Sequence, residues 1–319
     1  MKKGPNDTTM DKYLFPEKTK CYGWDCVCLS KGKLSLMIAP DIGGRIISLK
    51  YDGEEVLFVD EAKAGQRINL AGDVDLIKIK RSLGFPIWGG DKTWVSPQSN
   101  WLEGAPPLDL DSGQYELILK ENYIEMISPV DRETGMQIIR EVSLTESNQI
   151  VLNQTLLNKG EDDSYFGLWN VTQMLHPFDL YFPAKRSTVY GDQRFPASKK
   201  HLLTQEGEWV KIACDKMLEF KFGAKIEPGI AVALRHHEDS TLALVKRFDV
   251  DPQAKYPENH NIEIYNSGQW NYFELEVLGP LVELAPGEKT THAQVWSVGK
   301  LVGRATPSEA VLKLSEVLF

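Results

Sequence analysis

Apolar residues alternate with polar ones along most of this chain, in short runs broken by Gly, Asn, Asp or Pro. That period of two predicts strands. Cys26 to Ser30 and Leu34 to Ala39 read as a hairpin around Lys31-Gly32-Lys33, and Arg45 to Tyr51 and Val56 to Val59 flank the turn Asp52-Gly53. Further strands are expected at Glu116 to Leu119, Tyr123 to Ile127, Gln137 to Leu144, Ile150 to Leu157 and Phe166 to Met174. A last group covers Trp209 to Ala213, Leu218 to Phe222, Ile230 to Arg235, Thr241 to Phe248, Ile262 to Tyr265, Tyr272 to Val277 and Thr291 to Val298. Spacing of about 8–12 residues without amphipathic helices between strands predicts stacked antiparallel sheets, not βαβ units.

Helical periodicity is clearest at the C-terminus. Thr306, Pro307 and Glu309 form a start signal for a helix over 306–318, with Val311, Leu312, Leu314, Val317 and Leu318 as its apolar face. Residues 1–20 read as an irregular arm, and the whole of 1–319 as a single domain without an internal repeat. Two stretches do not look like strands. Trp88 to Pro107 holds three tryptophans among Gly, Pro, Asn and Gln, and His176 to Pro196 mixes His, Phe, Tyr, Pro, Lys and Arg. Long ordered loops of this kind often carry function.

Composition narrows the function classes. A net charge of −9 argues against a surface for nucleic acid or anionic membrane. No run approaches the roughly 18 apolar residues of a membrane span. The polar stretch after Met1-Lys2-Lys3 does not read as a signal peptide, so a cytoplasmic protein is expected, or a periplasmic or secreted one if a leader was trimmed. The four cysteines have no zinc-ligand spacing and read as reduced thiols. Phosphate-loop, dinucleotide, zincin and serine-hydrolase motifs are absent.

What remains suits a sugar. Pyranose C–H faces stack on aromatic rings, while hydroxyls need paired polar groups. Trp88-Gly89-Gly90-Asp91-Lys92-Thr93-Trp94-Val95-Ser96-Pro97-Gln98 offers both, and its glycines suit close approach of backbone to a ligand. In Trp169-Asn170-Val171-Thr172-Gln173, alternation puts Trp169, Val171 and Gln173 on one face. In Tyr272 to Val277 it puts Glu274 and Glu276 together, opposite Phe273, Leu275 and Val277. A carboxyl in a partly buried site takes a raised pKa and suits general-base work. A core role for the tryptophans and a solvated acidic stripe are the competing readings. His176, His236 and His260 are the histidines with suggestive neighbours, and Lys246 and Arg247 are alternative cations, one of them facing away from the core.

Four segments in order, Ile38 to Ile46, Trp88 to Gln98, Trp169 to Gln173 and Tyr272 to Pro280, resemble a bacterial and archaeal branch of the galactose-mutarotase-like superfamily. The resemblance spans roughly residues 25 to 300. It implies a mainly β, antiparallel β-supersandwich with a short C-terminal helix, whose sheet binds a sugar or sugar derivative. It further implies an aldose 1-epimerase-like enzyme in which a late-strand glutamate takes the anomeric hydroxyl proton and a histidine protonates the ring oxygen. Glu276, four residues before Pro280, matches that glutamate, with Glu274 in reserve. His176 is the nearest match for the histidine, with His260 as the alternative. Arg45, Trp88, Asp91, Lys92, Trp94, Gln98, Trp169 and Gln173 are the expected sugar contacts. No cofactor or metal is required, and a monomer or homodimer is expected. The sequence departs from true galactose mutarotases: their asparagine–histidine–aromatic segment is missing, and Arg45 follows Gly-Gly instead of pairing with Asn. A non-catalytic carbohydrate-binding module is the competing reading, and a polysaccharide lyase or glycoside-processing enzyme on the same fold ranks below it.

Overall fold

The structure, a computed structural model, describes residues 16–215 and 218–314. Two large antiparallel sheets are stacked on each other. The first runs Glu17–Cys21, Trp24–Lys31, Leu34–Ala39, Arg45–Tyr51, Asp91–Ser96, Ser164–Leu175, Tyr272–Leu278, Ile262–Asn266, Phe220–Ala224 and Tyr190–Gly191, with short strands added at Glu54–Glu55 and Val282–Leu284. The second runs Leu203–Glu206, Trp209–Cys214, Phe178–Pro183, Ile230–His236, Ser240–Phe248, Lys289–Val302, Gln149–Asn158, Met136–Leu144, Ile124–Ile127 and Glu116–Leu119. Alternation sends one face of each sheet inward, where Leu36, Leu49, Met174, Phe273 and Leu275 of the first meet Ile138, Leu152, Leu180, Leu244 and Trp296 of the second. Among the described residues no helix is long and apolar enough to cross a membrane.

The C-terminal helix is Pro307–Leu314, and its capping box forms: Glu309 N donates to Thr306 Oγ1 at 3.2 Å, and Thr306 N donates to Glu309 Oε2 at 2.8 Å. Ala310, Val311 and Leu314 pack on the second sheet, whereas Leu312, expected on the apolar face, is exposed. Val317 and Leu318 lie outside the described residues, as does most of the expected N-terminal arm. The arm's described end departs from expectation, because residues 17–20 belong to an edge strand.

The two stretches read as loops each contain a strand. Phe178–Pro183 lies inside the second sheet, and Asp91–Ser96 lies near the middle of the first. The latter escapes a pattern reading because both of its faces are buried and both carry polar groups. Val56 to Val59, expected as a strand, joins the sheet only through isolated bridges at Leu57 and Val59.

Gly89 and Gly90 approach the protein's own backbone closely, not a ligand. Gly89 has φ +103°, and a Cβ there would lie 2.0 Å from Phe58 O; at Gly90 (φ +74°) it would lie 2.5 Å from Ile46 O. Gly89→Ala is therefore expected to destabilise the fold by about 3 kcal/mol or more, through combined strain and overpacking. A urea denaturation midpoint equal to wild type would contradict this account.

Candidate functional site

The face of the first sheet turned away from the second carries a cavity of about 470 Å³. Register places its groups. Across three neighbouring strands Lys92 pairs with Val171 and Val171 with Glu276; Glu276 pairs in turn with Glu263, and Glu263 with Gly223. The next row holds Gln173, Glu274, Tyr265 and Lys221. Residues of equal parity share a face, so these side chains converge although they are far apart in the chain.

Aromatic rings form much of the wall: Trp94, Trp169, Trp270, Tyr265, Tyr272, Phe85 and Phe195. Trp94 meets Trp101 and Trp169 edge-on at centroid distances of 5.3 and 5.5 Å. Trp94 Nε1 donates to Asp111 Oδ1 at 2.7 Å, and Arg45 holds the same oxygen at 2.8 Å, which fixes the indole from behind. Three cations (Lys92, Arg194, Lys221) and three carboxylates (Glu219, Glu274, Glu276) complete the lining with Gln98 and Gln173.

Glu276 is fully buried. Its Oε2 accepts from Trp169 Nε1 at 2.8 Å and from Lys221 Nζ at 3.3 Å, while its buried Oε1 has no hydrogen-bond partner. Burial, assisted by the charges of Glu263 and Glu274 and opposed by Lys221, pushes its pKa up to about 8. Lys221 sits closer to Glu263, at 2.7 Å, and Glu263 also meets His260 Nδ1 at 3.1 Å. Burial works against the Lys221 charge, yet Glu276 and Glu263 outweigh it and raise its proton affinity. Lys221 therefore stays an ammonium paired chiefly with Glu263, and Glu276 is left able to hold or release a proton near neutral pH.

Of the expected residues, Glu274, Glu276, Lys92, Trp94, Gln98, Trp169 and Gln173 line this cavity. Five others do not. Arg45 is fully buried, paired with Asp111 and placed over the Trp88 ring at 5.2 Å. Trp88 packs with Trp24, Cys26, Ala39, Ile42 and Ile47. Asp91 points between the sheets to Arg140, Asn170 and Thr172. His176 continues the strand's alternation onto the inner face, where it stacks on Phe273 and meets Asn266 at 2.9 Å. His260 borders a separate hollow with Thr188, Tyr190, Lys225, Glu258 and Asn259. Lys246, weighed as a cationic partner, is enclosed between the sheets, and Arg247 is half-buried.

Lys221, Glu263, Arg194, Glu219, Tyr265, Trp270 and Tyr272 were not anticipated as site residues. Lys221 had a legible signal, since the apolar Phe220 and Phe222 on either side force it to the opposite face. Among the described residues, Glu258, His260 and Glu263 could together hold a cation, with donor atoms within 4.8 Å of one another, but the Lys221 ammonium already neutralises Glu263. The four cysteines are free thiols.

No family model matches the chain, and no curated protein matches it in sequence. Solved structures do match in three dimensions. A protein of Synechocystis sp. PCC 6803 aligns with a TM-score of 0.60 and 14% identity over 89% of this chain and 97% of its own. A galactose mutarotase-like protein of Lactobacillus casei ATCC 334 gives 0.57 and 11%, over 86% and 100% respectively. A galactose mutarotase-like protein of Clostridium acetobutylicum gives 0.51 and 12%, over 91% and 100%. At such identities the likeness establishes the architecture: the chain has the galactose mutarotase-like fold.

Proposed function

We propose that the cavity binds a neutral sugar with a free anomeric hydroxyl and that the protein exchanges its anomers, with Glu276 as the group that takes the hydroxyl proton. One observation carries this reading: a fully buried carboxyl in an aromatic-walled cavity, one oxygen held by Trp169 and Lys221 and the other without a partner. Such a group suits general-base catalysis close to neutral pH. The lining cations already have carboxylates of their own, Asp192 for Arg194, Glu263 for Lys221 and Glu274 near Lys92, which favours an uncharged sugar over a phosphorylated or acidic one.

Ring opening and reclosure of a hemiacetal need only proton transfers, so the lining groups suffice for the chemistry. The test is one-dimensional saturation-transfer NMR on a panel of aldoses, with anomer exchange above the buffer rate as the expected result. Trp270, which lines the cavity but lies outside the packed Trp94–Trp101–Trp169 group, provides a separate check on binding. Trp270→Ala is expected to weaken sugar affinity about 10-fold, or about 1.4 kcal/mol, through lost stacking. Sugar affinity without exchange would favour a binding module, and absence of both would remove the carbohydrate reading.

A further inference from the structure

None of the chain's six histidines lines the cavity, yet anomer exchange requires a proton donor for the ring oxygen. The lining offers few groups for that task. Arg194 keeps its proton at all working pH and is tied to Asp192 at 2.6 Å. Lys221 is held between Glu263 and Glu276, at 2.7 and 3.3 Å. Burial raises the phenols of Tyr265 and Tyr272, which makes both poor acids. Glu219 accepts from Tyr265 at 2.9 Å, and Glu274 accepts from Gln173 at 2.9 Å.

Lys92 is different. It is almost wholly enclosed, and its ammonium sits over the Trp94 ring, 4.4 Å from the centroid. The nearest carboxylate oxygen, Glu274 Oε1, is 3.7 Å away, beyond hydrogen-bond length, and among the described residues no hydrogen bond engages the ammonium. Lys92 and Glu276 lie in one cross-sheet row with Val171 between them, two strand spacings or about 10 Å apart at the backbone. Both side chains line the same cavity of about 470 Å³.

We infer that Lys92 is the proton donor of this site, taking the part that a histidine was expected to fill. The inference rests on the proposed anomer exchange. In the forward step the Glu276 carboxylate removes the O1 proton, O1–C1 becomes a carbonyl, and the C1–O5 bond breaks. Its electron pair stays on O5, which takes a proton from the Lys92 ammonium and leaves a neutral amine. After rotation about C1–C2, O5 adds to the other face of C1, Lys92 recovers its proton and Glu276 returns one to O1. Nothing is consumed.

The charges around Lys92 are compatible with this cycle. Burial lowers its proton affinity and Arg45 adds to that, while Glu274, Asp111 and Glu276 oppose it. The Ser164–Leu175 strand faces it only with the uncharged Trp169, Val171 and Gln173. Lys221 and Arg194, the other cations of the lining, are neutralised by carboxylates of their own.

The test compares wild type, Lys92→Met and Lys92→Arg for anomer exchange between pH 6 and 10, with sugar affinity measured alongside. Both variants are expected to lose on the order of 10²-fold or more in kcat. Wild type should show an alkaline limb, where Lys92 has lost its proton, that the residual activity of Lys92→Met lacks. Arginine keeps the charge but does not release a proton. Lys92→Arg at wild-type rate would therefore overturn donation and leave only a charge effect. An alkaline limb unchanged in Lys92→Met would overturn it too, and either result spares the role of Glu276. Wild type without exchange on any sugar would remove this inference together with the reading beneath it. If Lys92→Met fails to fold, the arginine variant and the wild-type limb still decide.

Discussion

Glu276→Gln is expected to reduce anomer exchange on the order of 10²–10⁴-fold while leaving sugar affinity within a few-fold of wild type. Glutamine preserves shape and can still accept from Trp169 Nε1 and Lys221 Nζ, the two donors that hold Glu276 Oε2. What it lacks is a lone pair able to take a proton. The pH dependence should carry the same signature. Wild type gains rate as pH rises through about 8, where the buried Glu276 carboxyl loses its proton, and the variant has no such limb. Stability supplies a check independent of any substrate. The native state holds the Glu276 proton up to about 8, whereas an unfolded glutamate releases it near pH 4.5. Between those values the native state binds more protons than the unfolded one, so this group makes stability fall as pH rises across that window. Glu276→Gln should remove that slope and gain stability over wild type most clearly at pH 8. Equal exchange rates in the two proteins would end the catalytic reading, and parallel stability curves would show that the carboxyl is not buried in this way.

Local alternation carried much of this site. Glu274 and Glu276 share a face with each other, and Trp169 with Gln173, because a period of two is a property of the strand itself and needs no knowledge of its neighbours. Parity could have gone further. His176 is three residues beyond Gln173, so alternation sends it to the inner face, where it meets Phe273; sequence proximity to the strand made it look available to the cavity. Asp91 went astray for another reason. The strand Asp91–Ser96 alternates between two buried destinations, with Lys92 and Trp94 toward the cavity and Asp91 and Thr93 toward the second sheet, where Thr93 donates to Gln154. Polarity on both faces erased the pattern that marks a strand. Residues such as Glu263 and Tyr265 enter only through the register of the Phe220–Ala224 and Ile262–Asn266 strands beside Tyr272–Leu278, a tertiary fact that spacing along the chain does not encode.

That inward-pointing aspartate should matter greatly to stability and little to sugar affinity. Asp91→Ala is expected to cost about 3–5 kcal/mol, because removing one partner leaves buried charges without compensation. The charges are specific. Arg140, fully buried, donates to Asp91 Oδ1 from the second sheet; Asn170 Nδ2 and Thr172 Oγ1 donate to Oδ2 at 2.9 and 2.6 Å; and the Lys246 ammonium lies 3.9 Å from the same oxygen. Lys246 reaches the network from the second sheet by donating to Asn170 Oδ1 at 3.3 Å and to Thr172 Oγ1. The polar cluster thus fixes one sheet against the other in a single register. Burial lowers the Lys246 pKa to about 7 against the pull of Asp91. Below that pH the lysine is charged in the native state and feels the full loss of its partner; above it the amine is neutral and only Arg140 remains stranded. The deficit of Asp91→Ala should accordingly shrink as pH rises from 6 to 8.5 in urea denaturation, and Asp91→Asn, which keeps the shape, should follow the same trend with a smaller offset. Because Asp91 faces away from the cavity, either variant should bind sugar normally at temperatures where it is folded. A selective loss of sugar affinity with an unchanged denaturation midpoint would return Asp91 to the ligand face and refute the partition of that strand.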